Sequence, residues 1–542
     1  MVALAALSAC PAVRLSAQGL SPRDSALHAL DRLAYGPRSG EVERVARLGI
    51  MNWIEQQLAP ERISDRRLAE RERQFAVLRY ERGDLARMYA DAIRERARRQ
   101  REAAERGTSG DDSAQMREEE RARQAGRQVA GQFQQLALVR AALSERQLQE
   151  IMVDFWANHF NVFMAKGADR FLTPSYIEET VRRHAMGRFE DLLIATAKSP
   201  AMLFYLDNAQ SVAPGSTPPF LARGGGRRAA RRMLGPVGAQ HAVPLQDRMP
   251  KGLNENYARE LLELHTLGVD GGYTQDDVVN VARIFTGWSI ERPARGAGFV
   301  FNEWAHDRGE KLVLGVRFPE GEGMEEGMRL LKLLANHHAT MHHVSRKLCA
   351  RFVSDEPPDG CVDDAVEAWH HSNGDIRAVL RAIFRSPDFW SSQAVRAKVK
   401  TPLEFVVSAV RAVGADPDST PRLAQVVARM GQPLYLQPAP TGYPETQADW
   451  VNSGALLNRM NAAVALAAGR LPGVSVNLDT FLPATPDHAA LVAAVSEQIL
   501  GGTMSERTKA VISDQLSAIS DPAQARVLAV GLAIGGPEFQ RQ

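Results

Sequence analysis

Apolar residues recur at spacings of three and four along most of the chain, the period that lays one stripe down an α-helix. Residues 25–34, 39–58 and 136–163 carry this period first. It returns after residue 323 and then at 376–384, 402–413, 452–468 and 487–500. One stretch breaks it. Phe299-Val300-Phe301 and residues 311–318 (KLVLGVRF) are short, apolar and rich in β-branched residues, with 302–310 between them. That pattern predicts a small β-hairpin. The expected fold class is therefore mainly α: a large multi-helix globular fold with a small β-hairpin inserted near residues 299–318.

Other stretches mark the boundaries. Residues 61–130 are crowded with Arg and Glu, broken by Gly107-Thr108-Ser109-Gly110. Interleaved opposite charges at this density predict solvent-facing helices carrying i,i+4 pairs. Residues 213–250 hold Pro214, Pro218, Pro219, three glycines at 224–226 and five arginines from Arg223 to Arg232, as a long flexible loop or linker would. Residues 431–443 (GQPLYLQPAPTGY) are too rich in Pro and Gly for helix or strand. The resulting division is a leader at 1–17, a charged helical region at 18–130, a helical core at 131–470 and a C-terminal helical region at 471–542. No repeat of 20–50 residues is present.

Length and composition narrow the class. The 542 residues allow up to three domains, and 44% hydrophobic against 24% charged residues excludes wholesale disorder. A net charge of +2 argues against a global nucleic-acid-binding surface. No run after the start reaches the ~18 apolar residues a membrane span needs. The start, MVALAALSACPAVRLSAQG, is apolar and small-residue-rich like an export signal, although no Lys or Arg precedes Arg14. Leu7-Ser8-Ala9-Cys10 resembles a lipobox that would lipidate Cys10, and Leu15-Ser16-Ala17 resembles an ordinary cleavage site. Both readings place the protein outside the cytoplasmic membrane: periplasmic, tethered to the outer membrane through an N-terminal lipid, or secreted. The two other thiols, Cys349 and Cys361, flank a turn-forming stretch, so a disulfide and two buried free thiols both stay open.

Candidate chemistry lies in four places. Residues 252–288 predict a helix over 254–267, with Asn256, Glu260 and Glu263 on one face and His265 on the opposite one. Apolar residues nearly surround this helix, so it is expected to be buried, with Glu260 and Glu263 neutralised by Arg259, Arg283, His159, His306 or a bound cation. Thr274 and Asp277 have capping-box spacing for the next helix. The second place is Asp154-Phe155-Trp156-Ala157-Asn158-His159-Phe160, polar groups set among aromatics. The third is His306-Asp307 in the expected hairpin. The fourth, His338 and His342, has only the i,i+4 spacing of a metal pair and lacks the Glu of a zinc motif. A Gly-x-Ser-x-Gly elbow, a Walker loop and a dinucleotide fingerprint are absent.

In order along the chain, LDRLAYGPRSGEVERV, DFWANHF, GLNENYARELLELHTLG with GGYTQ, FTGW, HDRGEK, RKLCARFVSDEPP, GDIRAVLRAIFRSPDFW and MGQPLYLQPAPTGYP resemble the bacterial domain-of-unknown-function 1800 family. The resemblance implies a large, mainly helical, exported bacterial protein, and an exported partner similar to sulfatases or alkaline phosphatases. It supplies no reaction. His338 departs from the family's pattern, which has proline there, so the His338–His342 pair reads as accidental. Three functions stay in view. The first is an exported envelope protein acting in an assembly with the sulfatase-like partner. The second is an envelope hydrolase, acid/base or metal-dependent, with catalytic candidates Glu260, Glu263, His265, His159, His306 and Asp307. A divalent metal is the cofactor that such a set would hold, through His159, Glu260, Glu263, His306 and Asp307. The third is a carbohydrate-binding protein with Trp156, Trp288, Trp304 and Tyr443 as stacking faces. Against all three stands a plainer reading, in which the same polar residues form a buried network that fixes helix packing.

Overall fold

The computed structural model describes residues 20–106, 112–216, 252–482 and 485–542. The leader expected at 1–17, with Cys10, lies outside these residues. So does the loop expected at 213–250, apart from 213–216. The described chain is mainly helical, and its strands form three short antiparallel pairs. One continuous set of buried apolar side chains runs from Ala26 to Phe539.

Local signals explain where the helices start. Helix Pro22–Leu33 begins with Ser21, whose side chain accepts from the Asp24 N–H, and with proline in its first turn. Thr274 and Asp277 form the expected capping box of helix Gln275–Ile284, and Thr401 with Glu404 forms another for Pro402–Ala412. The charged stretch becomes helices Arg82–Arg106 and Asp112–Leu143. Its ion pairs Arg87–Asp84, Arg94–Asp91 and Arg98–Glu95 are spaced three apart rather than the expected four. They are solvent-facing and contribute little to stability.

Residues 299–301 and 311–318 form strands as expected, but 311–318 is two strands rather than one, and the pairing differs. Phe299–Phe301 pairs with Trp288–Ile290, upstream of it. Lys311–Val313 pairs with Val316–Phe318. The reason lies in the turn: Leu314 and Gly315 both have positive φ, 50° and 76°. Two such residues close a tight hairpin within 311–318, so Phe299–Phe301 must find its partner elsewhere. Asp277 Oδ1 accepts from the Leu314 N–H at 2.7 Å and holds that turn to the capped helix.

Helix 254–267 also differs in part. An α-helical turn, Asn256–Glu260, passes into a π-helical segment, Leu261–Thr266. The faces divide as expected, with Ala258, Leu261, Leu262 and His265 buried. The other face does not lie at the centre of the protein: Glu260, Glu263 and Leu264 are only partly buried and Asn256 is exposed. Leu264 suggested an apolar circumference but sits on the outward side. Cys349 and Cys361 are disulfide-bonded, with Cα atoms 6.3 Å apart, linking helix His338–Phe352 to helix Asp359–Ser372.

The strand Lys311–Val313 is anchored by a buried ion pair. Lys311 Nζ lies 2.6 Å from Glu326 Oε2, and both side chains have no exposure. Breaking such a pair on one side leaves a buried charge unmatched, at a cost of about 3–5 kcal/mol. We therefore expect Glu326→Gln to lower stability by about that amount in urea unfolding. The double variant Lys311→Met/Glu326→Leu should recover most of the loss. Equal instability of the single and double variants would count against an ion-pair origin.

Candidate functional site

The candidate residues separate into three groups. His159 and His265 meet: their ring centroids are 6.3 Å apart, and His159 Nε2 lies 3.2 Å from the His265 carbonyl oxygen. That contact suits an Nε2–H donor, which leaves Nδ1 of His159 buried without a partner. Phe155, Trp156 and Phe160 surround His159, and His343 closes the cluster at 6.4 Å. Burial, reinforced by Lys347, holds His159 well below the usual histidine range and lowers His265 to about 3. Both rings are therefore neutral at ordinary pH.

His306 and Asp307 lie beside the Lys311–Glu326 pair. His306 Nδ1 is 3.0 Å from the Thr286 carbonyl, and Nε2 stands 3.7 Å from Glu326. Arg283 grips Asp307 through two bonds of 2.9 and 3.1 Å. Burial opposes ionisation of Asp307, but Arg283 and the Gly309 N–H outweigh it and its pKa falls. Arg283 is thus committed to Asp307 and does not compensate Glu260. Glu260 and Glu263 face outward. Burial and then the charge of Glu263 raise the Glu260 pKa, opposed by Arg259. Among the described residues, no three His, Cys, Asp or Glu side chains are placed to hold a metal ion. The expected metal set is spread over separate places and does not fit one ion. Trp156 and Trp288 are fully buried and offer no face to a sugar.

A different set converges. Helix Gln147–His159 contributes Asp154, Phe155 and Asn158 to a cleft, and helix His338–Phe352 contributes Arg351. The segment before and within helix Pro402–Ala412 adds Lys398, Thr401 and Glu404, and the irregular stretch after Met430 adds Gln432, Tyr435, Tyr443 and Glu445. The cleft comprises about 740 Å³ including its open part, of which about 60 Å³ admits water-sized molecules.

The irregular wall is ordered by the side chains of Asn158, Asn161 and Tyr205 and by the backbone of Met164. Asn158 brackets Tyr443: its Oδ1 accepts from the Tyr443 N–H at 2.6 Å and its Nδ2 donates to the Tyr443 carbonyl at 2.9 Å. Asn161 donates to the carbonyls of Gln437 and Ala439, and Tyr205 to that of Pro438. The Met164 N–H donates to the carbonyl of Tyr435, whose φ of 60° is rare for a bulky residue. Gly442 has φ 75°, and a Cβ there would meet the Asn158 carbonyl oxygen at 2.4 Å. Only glycine fits that contact.

The charges inside the cleft are unequal in their commitments. Glu404 Oε1 takes Arg351 at 2.6 Å and Gln542 at 3.0 Å, while Oε2 takes the Thr401 N–H at 2.8 Å. Lys398 pairs with Asp355 at 2.5 Å. Among the described residues, Asp154 has neither a hydrogen bond nor an ion pair. Burial pushes its carboxyl up to about 7, against the attraction of Arg351 and with help from the charges of Glu404 and Glu445. The sequence singled out the segment 154–160 but ranked His159 above Asp154. Arg351, Glu404 and Glu445 were missed; the spacing of Thr401 and Glu404 was a readable helix-start signal, and nothing local marked Arg351 or Glu445.

No curated protein and no solved structure matches this chain. A family profile described as protein of unknown function (DUF1800) matches residues 28–541. The match covers nearly the whole chain, cleft included, and the chain therefore belongs to the DUF1800 family.

Proposed function

We propose that this cleft is the active site of an envelope hydrolase working by acid–base chemistry, with Asp154 as its proton donor. One observation carries the reading: a cleft-facing carboxyl without a partner, pushed up to about 7, exchanges a proton near neutral pH. Structural carboxyls in the same cleft, such as Glu404, are tied by several bonds. The exported location is supported by the apolar leader and by the disulfide, which persists in oxidising compartments. The lipid on Cys10 and the sulfatase-like partner rest on the sequence and on the resemblance alone, and no surface is assigned to either.

Asp154→Asn should lower hydrolysis by about 10²–10⁴-fold while the protein still folds. The stability signature is distinct. A carboxyl whose folded pKa lies above its unfolded value disfavours the folded state increasingly as pH rises between the two. Asp154→Asn should therefore melt higher than the parent at pH 8, with a gain of about 1–3 kcal/mol that shrinks as pH falls toward 4. Lower stability of Asp154→Asn at every pH would assign Asp154 a structural role instead.

The loop closed by the disulfide contributes about 3 kcal/mol. Cys349→Ser should lose about that much in chemical unfolding, and non-reducing peptide mapping of protein from the native host should recover residues 349 and 361 in one cross-linked pair. Free thiols at both positions in the native protein would remove this support for export.

A further inference from the structure

We propose that the bond cleaved in this cleft is a glycosidic bond, with Glu445 as the second carboxylate that activates the attacking water. The inference rests on the acid–base reading of Asp154. Its basis is an inventory of carboxyls. Glu404 has both oxygens occupied by Arg351, Gln542 and Thr401. Asp355, just behind the cleft, is held by Lys398 and the Gln447 N–H. Asp154 and Glu445 are different: both line the cleft, and among the described residues neither carboxyl has a hydrogen bond or ion pair. Glu445 engages only through its backbone carbonyl, which accepts from Lys398 at 3.3 Å. The two carboxyls come from different elements, one from helix Gln147–His159 and one from the irregular segment that Asn158 of that helix brackets.

Two unpartnered carboxyls lining one cleft, one protonated near neutral pH, are the groups that glycoside hydrolysis uses. The charge on Glu445 helps keep the proton on Asp154. Other hydrolytic chemistries fit less well. Acyl transfer by a nucleophilic hydroxyl needs a base beside it, yet no histidine lines the cleft, and the Thr401 hydroxyl is engaged by the Glu404 N–H. The Tyr443 ring, only partly buried, supplies an apolar face on which the C–H face of a pyranose can lie. The cavity volume of about 60 Å³ accommodates a hydrolytic water. In the reaction the anomeric C–O bond breaks and the leaving oxygen takes the proton of Asp154. Water oxygen bonds to the anomeric carbon and gives its proton to Glu445. One water is consumed, one reducing end and one alcohol are released, and solvent exchange resets both carboxyls.

The test uses the purified full chain with chitohexaose, cellohexaose, maltohexaose and peptidoglycan sacculi, reading new reducing ends. 4-Nitrophenyl acetate and 4-nitrophenyl phosphate serve as non-glycosidic probes. We expect cleavage of at least one glycan, lowered 100-fold or more in Asp154→Asn and Glu445→Gln, and unchanged in the exposed control Glu303→Gln. In Glu445→Ala, sodium azide should restore turnover and yield a glycosyl azide, a readout that a misfolded variant cannot give. Asp154-dependent cleavage of the ester probes alone overturns the glycosidic proposal and leaves the acid–base reading standing. Full glycan activity in Glu445→Gln overturns the role of Glu445. Cleavage of neither class overturns both.

Discussion

A single carboxamide holds the candidate site together. Asn158 satisfies both the N–H and the carbonyl of Tyr443, and through them it fixes a stretch that has no secondary structure of its own. A buried backbone without ladder partners must find its hydrogen bonds from side chains, or water will enter. The chain solves this with Asn158, Asn161 and Tyr205 on one side and with Gly442, which brings the two backbones together, on the other. Everything the cleft offers chemically depends on that contact. Without the wall, Asp154 would face water and its carboxyl would return toward the ordinary range.

Two buried electrostatic systems show how differently this protein treats charge. Around Lys311 and Glu326 the charges are paired and enclosed, and they hold a small hairpin against a helix. Around Asp154 one charge site is left open beside a paired neighbour, Arg351 with Glu404. The first arrangement favours a fixed geometry. The second leaves a proton free to move. The neutral rings of His159 and His265 lie close to the cleft, where they act as polar but uncharged packing groups.

Much of the fold was legible in the sequence because its signals are local. The three- and four-residue period gave the helical class, and Thr274 with Asp277 marked a real helix start. Residues 299–301 and 311–318 were legible as strands but not their pairing, because the two positive-φ residues Leu314 and Gly315 close a hairpin within 311–318. The outward position of Glu260 and Glu263 was hidden by Leu264, an apolar residue that the structure leaves partly exposed. The site was legible only in its helical half. Asp154 and Asn158 stand out as polar residues in an aromatic run, whereas Arg351, Glu404 and Glu445 lie about 200–290 positions away and carry no mutual spacing. Convergence over such separations is a property of packing, which no window along the sequence contains.

The bond between Cys349 and Cys361 has a consequence beyond stability. Arg351 lies two residues past Cys349, near the end of the helix that carries it into the cleft. Helix ends fray readily, and this one is stitched to its neighbour half a turn before the guanidinium. The same residues in a reducing compartment would present Arg351 on an end held only by packing and by its polar contacts, such as the pair with Glu404. The cross-link thus makes the sharpness of the cleft a property of where the protein resides as well as of its sequence.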